Sequence, residues 1–254
     1  MSLAYFVSDL HLLSSDDANA RVFLKFLHGL KHKRTPQTTA SEKPTHLFLV
    51  GDIFDLWIGG HSYFRHRFAD IIEVIQELVQ LGVKIHYFEG NHDLHLADFW
   101  EGEVGVEVHT DAEYFEIGGI TVRVEHGDLI NPDDRGYLFL RRFLRTPTMK
   151  VLATSLPASF VRMIGDRASQ VSRKSSSGAR ANAAEDIRSL IRKHAQACFS
   201  EHEFDLIISG HVHIKDDFTF ESHARRVRAI NLGSWFDGPK AFRLIGKVGE
   251  FVEL

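Results

Sequence analysis

The chain has 254 residues, 44% of them hydrophobic and 25% charged, with a formal net charge of -4. This composition excludes a disordered chain, and a mean hydropathy of -0.14, with no apolar run near the roughly 20 residues of a spanning helix, speaks against a membrane span. The acidic balance gives no basic footprint for nucleic acid, and a single cysteine, Cys198, excludes a disulfide within the chain, a usage that fits a reducing cytoplasm.

Residues 3–7 predict a first strand, and Asp9 and His11 interrupt its apolar run too early for a signal peptide. A helix is predicted over 18–30, followed by an exposed polar loop over 31–45 that holds two prolines. The apolar run 46–50 stops at Gly51-Asp52, which suits a buried strand. Ile71, Ile72, Val74, Ile75, Leu78 and Val79 recur at helical spacing, with Gly82 as the stop. Residues 83–88 predict a strand that runs into Gly90-Asn91-His92-Asp93. A strand and loop, a helix, then another strand and loop imply parallel strands with crossover helices.

Shorter strands are predicted at 106–109, 114–117 and 120–125, with a hairpin turn at Gly118-Gly119. The stretch 132–200 is helical by pattern and rich in Arg and Lys. Residues 204–209 predict a strand ending at Gly210-His211-Val212-His213, and alternation at 217–222, 226–231, 241–245 and 250–254 predicts a closing, mostly antiparallel sheet. The expected organisation is one α/β domain over 1–254, with a helical insertion at about 132–200.

Five short motifs place Asp, Asn or His directly after an apolar strand: Asp9-Leu10-His11, Gly51-Asp52-Ile53-Phe54-Asp55, Gly90-Asn91-His92-Asp93, His126-Gly127-Asp128 and Gly210-His211-Val212-His213. Loops beyond the carboxyl ends of strands gather at one edge of an α/β sheet, where ligands bind. Any one of these motifs is readable as ordinary structure, and Asp52 by itself as a helix cap. Together they read as a binding site for two divalent ions. Imidazole and carboxylate donors without thiolate suit Mn, Fe or Zn. Asp52, alone on its loop, is the natural bridging carboxylate. Two ions about 3.5–4 Å apart hold an in-line displacement at phosphorus and activate a bridging water, with no Ser or Cys nucleophile needed.

The ordered set resembles the calcineurin-like metallophosphoesterase superfamily, whose signature is D-x-H, G-D-x-x-D, G-N-H-D, H and G-H-x-H. The resemblance runs from residue 9 to residue 213. It implies a four-layer α-β-β-α sandwich of two mixed sheets. It assigns Asp9, His11, Asp52 and His213 to one metal, and Asp52, Asn91, His126 and His211 to the other. It makes His92 an acid or transition-state donor acting with Asp52 and Asn91, and makes Asp55 and Asp93 orienting residues. Manganese is the first expectation for the pair, with iron or zinc as alternatives.

Two longer runs narrow the resemblance. The stretch 51–59 (GDIFDLWIG) and the segment His126-Gly127-Asp128 through Asp133-Asp134-Arg135-Gly136-Tyr137 look like the UDP-2,3-diacylglucosamine hydrolases of lipid A biosynthesis. What that likeness implies is cleavage of a pyrophosphate to UMP and an acylated sugar phosphate, at the cytoplasmic membrane face, under a helical lid. The chain departs from that family at His92, where the family typically carries Arg. Arginine is a fixed bidentate phosphate clamp, whereas histidine exchanges a proton. The alternative is a phosphodiesterase or nucleotide pyrophosphatase with a water-soluble substrate.

Within the insertion, Ala153, Leu156, Phe160, Val161, Met163 and Ile164 form an apolar stripe near Arg162, Arg167, Arg173 and Lys174. The stripe reads as a lipid-facing lid with peripheral membrane contact, or as helices packed on the core. The run Ser175-Ser176-Ser177-Gly178 reads as a lid turn or a plain loop. Trp57 and Tyr137 are candidates either to line a pocket or to pack in a core. Asp134, Arg141 and Arg142 are candidates for substrate binding, with a solvated helix face as the alternative for the two arginines.

Overall fold

In the computed structural model, residues 2–35, 37–39, 42–156 and 181–254 are described. Strands β1 (Leu3–Val7), β2 (His46–Val50), β4 (Lys84–Phe88) and β6 (Glu107–His109) run parallel in that order. The residues of β1, β2 and β4 alternate between two buried faces, which is why those runs read as largely apolar, whereas β6 is the partly exposed edge. Leu3, Tyr5 and Val7 face one layer, and Ala4 and Phe6 face the other.

The outer layer on this sheet is built by α1 (Ala18–His32) and α3 (Ala69–Gln80), with the short α2 (Ser62–Arg67) leading into α3. Asp17 caps α1 by accepting from the Ala20 amide at 2.7 Å. Ala20, Phe23, Leu27 and Leu30 then bury one stripe, and Ile71, Ile72, Val74, Ile75 and Leu78 do the same on α3. A single turn, α4 (Ala97–Phe99), and a π-helical turn (Trp100–Val104) bring Trp100 into this core. A two-stranded pair, β3 (Trp57–Ile58) with β5 (Asp93–Leu94), ties two of the motif loops together.

The second sheet has the order β10 (Asp216–Ser222), β11 (Arg225–Asn231), β9 (Leu206–Ser209), β8 (Ile120–Val124) and β7 (Glu113–Ile117). Its inner face meets the first sheet through Phe6, Phe48, Val122, Val124, Ile208, Ile230 and Phe242. Its outer face is covered by α7 (Ala181–Glu201), whose Ala195, Cys198 and Phe199 pack on Ile207, Phe220, Val227 and Ala229. The layers are therefore helix, sheet, sheet, helix.

The tail strands pair antiparallel as expected, β10 with β11 and β12 (Lys240–Ile245) with β13 (Val248–Glu253), but they do not close a single sheet. Strands β8, β9 and β11 are mutually parallel. Strands β12 and β13 leave them and extend the first sheet, with β12 antiparallel to β1. Period-2 alternation tells a strand from a helix, but not which edge that strand joins.

In the stretch 132–200, α5 (Arg135–Leu144), α6 (Pro147–Thr154) and α7 are helical as expected. The part of the apolar stripe from Phe160 to Ile164, the basic residues Arg162, Arg167, Arg173 and Lys174, and the run 175–178 lie outside the described residues. Among the described residues, no helix is long and apolar enough to cross a membrane.

Candidate metal centre

The five motif loops leave the carboxyl ends of β1, β2, β4, β8 and β9, and the two sheets present those ends along one edge. Backbone pairing continues into the loops. The Asp9 amide donates to the Gly51 carbonyl at 3.2 Å, that of His11 to Asp52 at 3.1 Å, and that of Gly210 to His126 at 2.8 Å. Asp9, His11, Asp52, His211 and His213 all have positive φ, between 49° and 68°. Side chains avoid that region, and such strain is held only where the surroundings over-determine it. Gly90 and Gly210 serve close approach. A Cβ at Gly90 would overlap the Asp52 carboxylate, and one at Gly210 the Ser8 hydroxyl and the Asp9 carboxylate.

Two groups of donor atoms result. In the first, His213 Nε2 lies 3.0 Å from His11 Nε2 and 3.3 Å from Asp9 Oδ1. In the second, Asn91 Oδ1 lies 2.9 Å from His211 Nδ1 and 3.3 Å from His126 Nε2, and the latter is 3.6 Å from Asp52 Oδ2. His126 donates through Nδ1 to the Val50 carbonyl at 3.0 Å, which leaves its Nε2 lone pair aimed inward. Lone-pair atoms facing one another at these separations have the spacing of ligands on a shared ion. The donor set therefore fits divalent cations, with Asp9, His11 and His213 gathered in one group and Asp52, Asn91, His126 and His211 in the other.

The electrostatics agree. Burial pushes the Asp52 carboxyl up, but His126, His92, His11 and His211 outweigh burial and hold it well below the usual carboxylate range. Asp52 thus feels the histidines of both groups. Burial raises Asp9 as well, and its contact with His213 brings it below normal. Burial and the neighbouring His126 push His211 down to about 4. His126, opposed by burial but facing Asp52 and Asp9, is raised to about 9.

His92 stands beside this pair. Its amide donates to Asp52 Oδ1 at 2.9 Å, and its Nδ1–H donates to the Asp55 carbonyl at 2.7 Å. Nε2 is then the atom that gains or loses the proton. Burial lowers the ring's pKa, but Asp52 and the Asp55 carbonyl carry it above the ordinary histidine value. Asp55 thus reaches His92 through its backbone carbonyl.

Asp93 is the hub of two loops. It accepts from the amides of Asp52 at 3.0 Å, Gly90 at 2.7 Å and Ile53 at 2.9 Å, and from the Tyr87 hydroxyl at 2.7 Å. Burial and the nearby Asp52 push it up to about 6. Tyr87 and Phe236 were not legible as site residues. Tyr87 reads as one more apolar position of a strand. Phe236 stacks on the His11 ring at 5.2 Å from a turn far along the chain.

The substrate candidates divide. Tyr137 donates to Asp128 at 3.0 Å, and its ring lies 5.6 Å from that of His211. Arg141 pairs with Asp128 at 2.5 Å and with Asp111 at 3.2 Å. Both stand at the rim of the centre. Asp134 caps α5 by accepting from the Tyr137 amide at 2.9 Å, and Arg142 faces solvent. Trp57 takes the core alternative. It is fully buried among Phe54, Phe64, Phe99 and Trp100, with its indole N–H on the Gly59 carbonyl at 2.7 Å. A cavity of about 290 Å³ lies beside the centre, walled by Arg123, Glu125, His126, Asp128, Arg141 and His194.

A family model described as calcineurin-like phosphoesterase matches residues 4–215. A protein of Enterobacter sp. (strain 638) named UDP-2,3-diacylglucosamine hydrolase is 28% identical over 235 residues, covering 91% of this chain and 90% of that one. A protein of the same name from Stenotrophomonas maltophilia (strain K279a) is 27% identical over 245 residues, covering 94% and 93%. Among solved structures, an archaeal phosphodiesterase aligns with TM-score 0.44 at 14% identity, covering 99% of each chain.

Proposed function

The chain belongs to the calcineurin-like phosphoesterase family and is a phosphohydrolase, and on that premise we propose that it cleaves the pyrophosphate of UDP-2,3-diacylglucosamine, or of a related lipid-linked nucleotide, to UMP and an acylated sugar 1-phosphate. Asp9, His11, Asp52 and His213 would hold one divalent ion, and Asp52, Asn91, His126 and His211 the second, with manganese as the first choice. When bound, such a pair neutralises the phosphoryl oxygens and makes a hydroxide nucleophile available near neutral pH. His92, with Nδ1–H fixed on Asp55, keeps a proton at Nε2 for the leaving oxygen. Asp93 keeps the Asp52 and Asn91 loops in register. Tyr137 and Arg141 stand where the substrate would pass the rim.

The observation that carries the lipid reading is the surface of α5 and α6. Phe139 is 73% exposed and Val151 65%, with Leu140, Phe143 and Leu152 exposed beside them. Large apolar side chains left in solvent next to a polar centre mark a binding face, and acyl chains and the membrane surface both suit it. A second reading, hydrolysis of a water-soluble phosphodiester or nucleotide, is favoured by His92 standing where the lipid A hydrolases typically carry Arg. Turnover with manganese on UDP-2,3-diacylglucosamine, plain UDP-sugars and cyclic nucleotides separates the two. Hydrolysis of the diacylated compound is expected, and turnover of the water-soluble compounds alone would replace the first reading with the second.

A further inference from the structure

A second cluster of ligand-type side chains lies outside the centre described above. On the inner face of the first sheet, β4 and β6 place His86 opposite Glu107, and His109 follows two residues later on the same face. His86 Nδ1 lies 3.2 Å from His109 Nε2 and 3.2 Å from Glu107 Oε2. One ligand atom from each of the three residues lies within 4.8 Å of the others. Two ligands each about 2.0–2.1 Å from a tetrahedral zinc are about 3.3 Å apart, so both separations match an edge of that tetrahedron.

Proton counting supports a cation here. A neutral His86 has one N–H. If it sits on Nδ1, it can satisfy His109 or Glu107 fully but not both, and Nε2 is left as a buried acceptor without a partner. If it sits on Nε2, the Nδ1 lone pair confronts a carboxylate at 3.2 Å. Burial, together with His109, His46 and Lys84, pushes His86 down to about 3, so this ring does not escape the conflict by taking a second proton. A neutral imidazole is also the form that binds metal.

The rings are held before any ligand arrives. His86 stacks on Phe48 at 4.7 Å and meets the edge of Phe115 at 4.7 Å. His109 stacks on Phe88 at 4.6 Å. His109, His46 and Lys84 bear on His86, whereas three carboxylates, Glu113, Glu107 and Glu101, bear on His109. Glu107 is the exposed member, which leaves the cluster open to solvent on one side.

We propose that His86, Glu107 and His109 form a further divalent-ion site, of the zinc class, with water at its fourth position, that clamps the edge strand β6 to β4. The clamp bears on the loop beyond β6. The Glu89 amide donates to the His109 carbonyl at 2.8 Å, and the next residues, Thr110 and Asp111, accept from Arg141 and Arg145. The site would thus steady the rim of the catalytic cleft without touching the reacting groups.

The test uses the full chain, stripped of metal and titrated with zinc and with cobalt. Wild type is expected to retain one more equivalent of zinc than His109→Gln, with a corresponding share of tetrahedral cobalt absorption missing in the variant. Glu107→Ala, a change at an exposed side chain that keeps the fold, should weaken the same equivalent by tenfold or more. Hydrolysis of bis-p-nitrophenyl phosphate with manganese should persist in both variants, which separates this site from the catalytic one. Equal zinc stoichiometry in wild type and His109→Gln, or equal affinity in wild type and Glu107→Ala, would overturn the proposal.

Discussion

At the scale of single residues, His92 is where the family likeness and the structure make the most specific demand. Its Nδ1–H is committed to the Asp55 carbonyl at 2.7 Å, so one tautomer of the neutral ring is selected, and Asp52 and Asp55 raise its pKa. A group that stays protonated above the ordinary histidine value is suited to give its proton to a leaving oxygen. An arginine at this position would bind phosphate without exchanging a proton. If the ring acts as a proton donor rather than a ligand, His92→Ala should lower the rate by roughly 10²–10⁴-fold while metal content stays the same. Steady-state turnover with metal analysis on the same sample checks this. Loss of a metal equivalent would make His92 a ligand, and an unchanged rate would remove it from the chemistry.

At the scale of elements, α5 joins the rim of the centre to an apolar surface. Asp134 caps it, Tyr137 and Arg141 fasten it to Asp128, and Phe139 and Phe143 stack on each other at 6.4 Å while facing solvent. If those rings receive acyl chains, Phe139→Ser with Phe143→Ser should raise KM for UDP-2,3-diacylglucosamine by roughly tenfold or more, since burying one such side chain is worth about 1.5–3 kcal/mol. Activity on bis-p-nitrophenyl phosphate should not change. An equal effect on both substrates would make the pair structural. Elements are also where the sequence was most and least legible. The strands β1, β2, β4 and β9 were visible as largely apolar buried runs and β8 by its alternation, and the five motif loops follow them. The edge joined by β12 and β13 was not visible, because alternation carries no partner. The β3–β5 pair was missed because two residues have no period. Trp57 was ambiguous because an aromatic beside a motif has the same letter in a core as in a pocket. Phe236 was missed because its contact with His11 spans most of the chain.

At the scale of the whole molecule, the outer helix of the second sheet is fastened by charge as well as by apolar packing. His194 on α7 meets Glu125, at the end of β8, at 2.5 Å, and the Cys198 sulfur lies 3.4 Å from the same ring nitrogen. Arg123 holds the other carboxylate oxygen at 2.7 Å. Burial disfavours a charged His194, but its contacts with Cys198 and Glu125 outweigh burial and raise it to about 10. Burial pushes Glu125 up, and His194 and Arg123 bring it below its usual value. A histidine whose folded pKa exceeds its unfolded value of about 6.5 stabilises fully below that pH and loses the contribution as pH rises toward its folded value. The lowered Glu125 works in the opposite sense. Its contribution is present above its unfolded value and is lost as pH falls through its folded one. The pair therefore supports the fold best in mildly acidic solution and least in strongly alkaline solution. In mildly acidic solution His194→Gln should cost roughly 1–3 kcal/mol, because Arg123 still partners Glu125. That corresponds to a Tm lower by about 2–4 °C per kcal/mol in a chain of this size. Measured on metal-free protein, the Tm gap between wild type and His194→Gln should be widest near pH 5–6 and close steadily toward pH 10. A gap that stays constant over that range would mean that α7 is held on the second sheet by packing alone.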